Sequence, residues 1–89
     1  MIRSHTFAGH RYRVRNLAGV SRDALGQCDH ERKIINIPIE GDTADELDVI
    51  IHEGLHACMP YLAEGAVNES ATSISRLLWR LGWRKQEGS

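Results

Sequence analysis

The stretch His52-Glu53-Gly54-Leu55-His56 constrains this chain more than any other. It lies where Leu47, Ile50, Ile51, Gly54, Leu55 and Cys58 recur at three- and four-residue spacing, which makes one apolar helix face. Thr43 followed by Glu46 is a capping box that marks a helix start, and Asp45 and Glu46 suit the positive end of the helix dipole. Pro60 ends the run, so the pattern predicts a helix from Ala44 to about Cys58. On such a helix His52 and His56 stand one above the other. Two imidazoles at that spacing can grip one zinc ion, and Glu53 can reach a water there as general base. Both histidines belong to a second stripe (Asp45, Asp48, Val49, His52, Glu53, His56), off the main apolar face where a plain core histidine would be expected.

A catalytic zinc site keeps three protein ligands and one open position. The third ligand is sought in a second helix, predicted from Ala63 to Leu81. Its buried stripe is Val67, Ala71, Ile74, Leu78 and Leu81, widened by Ala66, Leu77 and Trp79, with Gly82 placed for a C-terminal cap. Thr72, Ser73, Arg76 and Arg80 are expected to face outward. A short turn makes the two helices antiparallel and sets the start of the second beside the histidines. Glu64 falls on the apolar stripe, where a carboxylate is costly to bury unless a cation compensates it. Glu69 falls on the polar side. Glu64 is therefore the preferred third ligand and Glu69 the alternative, with helix capping as the plain explanation of Glu64.

The first half of the chain reads as strands. Arg11-Tyr12-Arg13-Val14-Arg15 alternates with period two, turning Tyr12 and Val14 inward and the arginines to solvent. Ala8-Gly9-His10 can turn Phe7 back as a hairpin partner. Ser21 can cap a short helical turn before Gly26. Gly26–Cys28 and Lys33–Ile37 can pair across a polar turn from Asp29 to Arg32. Pro38 lacks an amide hydrogen, which places Ile34–Ile39 on a sheet edge or puts Pro38 at a strand terminus. The sum is an α+β fold, a small antiparallel β-sheet packed on two antiparallel helices. One domain is expected over 1–85 and a disordered polar tail over 86–89.

With 89 residues there is room for one domain with a modest core, a size at which a metal often helps to hold the fold. A net charge of −1 gives no general attraction for nucleic acid or membrane. The arginine lines Arg11/Arg13/Arg15 and Arg76/Arg80/Arg84 read first as solvated faces, and a nucleic-acid-associated role is the less favoured reading of them. No apolar run is long enough to span a bilayer, and the N-terminus lacks a signal-peptide core, so a cytoplasmic protein is expected. Cys28 and Cys58 are then expected as free thiols, Cys58 in the core rather than on a metal.

The stretch Glu46–Trp83 resembles the short zincin-like metallopeptidases of bacteriophages and prophages, which are similar to minimal gluzincins. The matching segments are Leu47–Ala57, then Leu62-Ala63-Glu64 with Val67 and Ala71, then Leu78–Trp83, supported upstream by Cys28-Asp29 and Ile34–Ile37. The metzincin extension is absent, since no histidine follows downstream of His56. Position 65 is Gly where related chains often look acidic. The resemblance implies zinc held by His52, His56 and a glutamate, Glu53 as base, and a peptide or protein substrate hydrolysed by an activated water. It also implies an edge strand that holds an extended peptide, expected here at Ile35, Asn36 and Ile37. Tyr61, His30 and Arg32 are candidates for stabilising the developing oxyanion. Asp48 can orient His52, although a solvated acid is the plainer reading. A zinc-stabilised binding module without turnover is the alternative function, and a homodimer is one way to complete so small a cleft.

Overall fold

The computed structural model describes residues 3–17, 27–39 and 42–85. Four strands precede two helices: β1 (Ser4–Phe7), β2 (His10–Asn16), β3 (Gln27–Asp29), β4 (Ile34–Ile37), α1 (Ala44–Cys58) and α2 (Glu64–Arg80). The expected turn before Gly26, the start of the β3 hairpin at Gly26 itself and the 86–89 tail lie outside the described residues.

β1 and β2 form the expected hairpin, with Phe7 opposite His10. Ala8 and Gly9 both take positive φ (47° and 85°), the mirror-image turn whose twist matches that of paired strands. Tyr12 and Val14 point inward and are buried, as the alternation predicts. β3 and β4 form the second hairpin, with Cys28 opposite Ile35.

The sheet order is β1-β2-β4-β3, and β2 runs parallel to β4, with Val14 beside Ile35. The sheet is therefore mixed, not antiparallel as expected. Each hairpin is local and antiparallel, but they join through β2 and β4, which point the same way. This also corrects the expected edge strand. β4 is flanked by β2 along its whole length and by β3 along Ile34–Asn36, so Ile35 and Asn36 have no free ladder for a peptide, while Ile37 is paired with Asn16 of β2. Pro38 stands just past the end of β4, where its missing N–H removes no ladder bond. Among the described residues the outer strands are β1 and β3.

α1 begins at Thr43, whose hydroxyl accepts from the Glu46 N–H at 3.1 Å. The Glu46 carboxylate reaches back to the N–H of Asp42 at 3.0 Å, so both ends of the first turn are satisfied. α1 lies on the sheet, and Ala57 joins Tyr12, Val14 and Ile35 in the core, flanked by Phe7, Cys28, Ile37 and Ile39. α2 packs on α1. It ends in a Schellman motif: Trp83 N–H donates to Leu78 O and Gly82 N–H to Trp79 O, both at 3.0 Å, with Gly82 at φ 96°.

The buried line of α2 is Val67, Ala71 and Ser75. Ile74, Leu77 and Leu81, expected in the core, are 42%, 58% and 66% exposed. α2 meets α1 along one narrow face, so only the i, i+4, i+8 row is covered. Thr72, expected outward, is half-buried and turns to α1.

Candidate metal centre

α1 places Glu53 and Ala57 against the sheet and leaves His52 and His56 beside the start of α2. The connector 59–63 is tight, with Leu62 N–H donating to Met59 O at 3.0 Å. The helices then run antiparallel: Glu64 meets His52 and His56, while Thr72 further along α2 meets Asp48 earlier on α1. Glu64 is the first residue of α2 and shares a face with buried Val67 and Ala71, which aims it back at α1.

The three side chains converge on one point. His52 Nε2 lies 3.0 Å from Glu64 Oε1, His56 Nε2 lies 2.8 Å from Glu64 Oε2, and the two Nε2 atoms are 3.2 Å apart. Bonds of about 2.0–2.1 Å to a tetrahedral zinc place donor atoms roughly 3.3 Å from one another. The two imidazole nitrogens match that figure, and each meets a different oxygen of Glu64 at slightly shorter range. The chemistry agrees: two imidazoles and a carboxylate, a donor set that suits zinc, with no fourth His, Cys, Asp or Glu grouped with them among the described residues. These three residues can hold a divalent metal ion. Glu69 lies outside the cluster, on the exposed side of α2.

Glu53 is buried at 7% exposure. Burial pushes its carboxyl above the ordinary range, His52 and His56 pull it back, and Glu64 pushes it further. The two histidines are thus neither on the main core face nor in open solvent, each side chain being 18% exposed.

A cleft of about 890 Å³ opens over the cluster. His52, Glu53, His56 and Glu64 line its helical side, and Cys28, Asp29, His30 and Arg32 its strand side. Of the three expected oxyanion donors, His30 and Arg32 therefore face the cleft, and Tyr61 does not line it and is 82% exposed. Asn36 also lines the cleft, whereas Ile35 is sealed in the core. Asp48 is held by Thr72, whose hydroxyl donates to it at 3.0 Å, so its partner is on α2 rather than His52. Both cysteines are free thiols, and burial pushes Cys28 up to about 11, with Glu53 adding to the rise.

Sequence reasoning missed Tyr12 as a site residue. It is buried at 1% exposure and its phenol lies 3.0 Å from His30 Nδ1. The available signal was chemical: an inward tyrosine on a strand must find a partner for its hydroxyl.

Comparison of the chain with protein-family models, curated proteins and solved structures finds no match. The site therefore rests on its own geometry: a His52-Glu53…His56-Glu64 arrangement of the zincin-like HExxH-plus-glutamate type. Among the described residues no helix is long and apolar enough to cross a membrane.

Proposed function

We propose that this protein is a zinc-dependent peptidase, held together at its site by His52, His56 and Glu64 and using Glu53 as general base. The observation that carries the reading is the pairing of two features: a three-donor cluster that lines a cleft, and a buried carboxylate beside it. A purely structural zinc site has no need of that carboxylate and usually closes with a fourth protein ligand. When bound, zinc supplies Lewis acidity, lowering the pKa of a water to about 7 and polarising a carbonyl. Glu53 takes a proton from water and passes it to the leaving amine. Its raised carboxyl pKa suits a group that must both accept and return a proton.

The peptide is proposed to lie along β3. That strand borders the cleft and is outermost among the described residues, so an extended segment can add to it through backbone hydrogen bonds. Bacteriophage origin belongs to this proposal on the strength of the resemblance alone, and a cytoplasmic setting belongs to it on the sequence expectation given above.

The test is metal analysis of the purified protein joined to a casein or peptide-library assay. Wild type is expected to carry zinc and cleave, and Glu53→Gln to keep zinc and lose cleavage. A zinc-free wild type, or a Glu53→Gln variant that cleaves as well as wild type, overturns the reading. Zinc without cleavage in wild type points to the non-catalytic binding module.

A further inference from the structure

We propose that His30 is a catalytic residue that donates a hydrogen bond from Nε2 to the carbonyl oxygen of the bound peptide, with Tyr12 as the positioning residue that fixes its tautomer. The inference deepens the peptidase reading and rests on it.

The backbone of His30 is held on every side. The Asp29 carboxylate accepts from the N–H groups of Glu31 (3.1 Å) and Arg32 (3.0 Å), closing an Asx turn around it. The Lys33 ammonium donates to the His30 carbonyl at 2.8 Å. The ring is held too, with Nδ1 3.0 Å from the Tyr12 hydroxyl and 3.9 Å from Cys28 Sγ. Tyr12 is in the middle of β2 and wholly buried, so it is a fixed point. Both of these contacts are made by Nδ1, which leaves Nε2 on the opposite edge of a ring that lines the cleft.

His30 stands behind the metal cluster, not in it. Its ring centroid is 6.4 Å from that of His56, and the three ligand atoms gather within 4.8 Å without it. With Nδ1 occupied by Tyr12, the ring meets a ligand in the cleft through Nε2. Which role it plays depends on where the ring carries its proton. Both groups that meet Nδ1 carry a proton at neutral pH: burial raises the Tyr12 phenol and lifts the Cys28 thiol to about 11. With Tyr12 donating to Nδ1, the ring proton sits on Nε2, and Nε2–H is a donor. The scissile carbonyl oxygen gains negative charge during attack, and a preorganised donor lowers the energy of that state more than that of the ground state. His30 transfers no proton in this role. It donates the same hydrogen bond before and after attack, more strongly as charge develops.

Three measurements test the pair. In the metal-free protein, a long-range ¹H–¹⁵N correlation of the imidazoles reads the tautomer. His30 is expected as Nε2–H in wild type, with that preference lost in Tyr12→Phe, and a wild-type Nδ1–H tautomer overturns the proposal. In the cobalt-loaded protein, visible absorption reads acetohydroxamate binding. His30→Ala is expected to weaken it about 10-fold or more at unchanged cobalt content, while His30→Gln, which keeps a donor, recovers part of the loss. Equal affinity in all three proteins overturns the proposal. In the zinc-loaded protein, His30→Ala is expected to lower kcat by roughly 10²–10³, the usual loss for one oxyanion donor, with KM nearly unchanged. An unchanged kcat overturns it. If wild type cleaves no peptide, the peptidase reading fails, and the tautomer and acetohydroxamate measurements decide the His30 assignment by themselves.

Discussion

Thr72 donates its hydroxyl to Asp48 at 3.0 Å, across the α1–α2 contact. Asp48 is one helical turn before His52, and Thr72 is two turns after Glu64. The bond therefore fixes the axial register of the two helices that bring Glu64 to the histidines. A one-residue slip would move Glu64 by about 1.5 Å along α2. Thr72→Val keeps the shape and removes the donor. It is expected to cost about 1–2 kcal/mol, as for a half-buried hydrogen bond to a charged group, and to weaken zinc binding about 10-fold. Urea denaturation and competition against a zinc chelator measure the two effects. Loss of stability with unchanged zinc affinity would show that the bond does not set the register.

Glu64 and Glu69 separate by the same competition. Glu64 touches both imidazoles and Glu69 neither. Glu64→Ala is expected to weaken zinc binding by more than the ~10–100-fold typical of an outer-shell change, and Glu69→Ala to leave it unchanged. Equal losses in the two variants would remove Glu64 from the ligand set.

The helices and their ends were legible because the signals are local. Thr43 with Glu46, Pro60 and Gly82 act within a turn of themselves, and α1 spans Ala44–Cys58 as the spacing predicts. Glu64 was legible from its place in step with Val67 and Ala71, but the burial expected there is not found: its side chain is 63% exposed and reaches the histidines from the first turn of α2. The sheet order was not legible. Val14 beside Ile35 is a pairing between distant segments, and no local pattern distinguishes a strand flanked on one side from one flanked on two. The outer face of α2 shows the same limit. Ile74, Leu77 and Leu81 fit a helical stripe, but periodicity does not reveal how wide a neighbour covers it. Tyr12 read as a core residue because its aromatic body and its hydroxyl have different surroundings, and only the fold brings His30 to the second.

Cys28 gives a pH dependence with a definite sign. Its thiol is raised from 9.0 to about 11 in the folded protein, chiefly by burial and then by Glu53. Above pH 9 the unfolded chain releases that proton while the folded chain keeps it, so the folded state binds more protons and stability falls as pH rises. The contribution is complete below about pH 9 and is lost on approaching pH 11. In the metal-free protein Cys28→Ala is expected to flatten this part of the stability–pH curve, measured by urea denaturation at several pH values. Iodoacetamide is likewise expected to label Cys28 slowly at pH 8, because the thiolate is the nucleophile. Rapid labelling in the folded protein would contradict the raised pKa.

Gly54 and Gly82 respond in opposite directions to alanine. Gly54 sits inside α1 with an ordinary helical backbone, and an added Cβ would meet only Phe7 Cε1, at 3.7 Å. That is van der Waals contact, so nothing has to move. Alanine removes the entropic penalty of a glycine within a helix, and Gly54→Ala is expected to stabilise the protein by about 0.5–1 kcal/mol. Gly82 has space around it but takes φ 96°, the conformation on which the α2 Schellman motif depends. There a Cβ is strained whatever the room, and Gly82→Ala is expected to cost about 1 kcal/mol. For a domain of this size each 1 kcal/mol corresponds to roughly 4–8 °C, so thermal melts of the two variants should move apart on either side of wild type. Gly54 is also next to Glu53 and two residues from His52 and His56. A stabilised Gly54→Ala protein that loses zinc would show that the backbone of α1 must yield for the metal to bind, which the unstrained contact with Phe7 argues against.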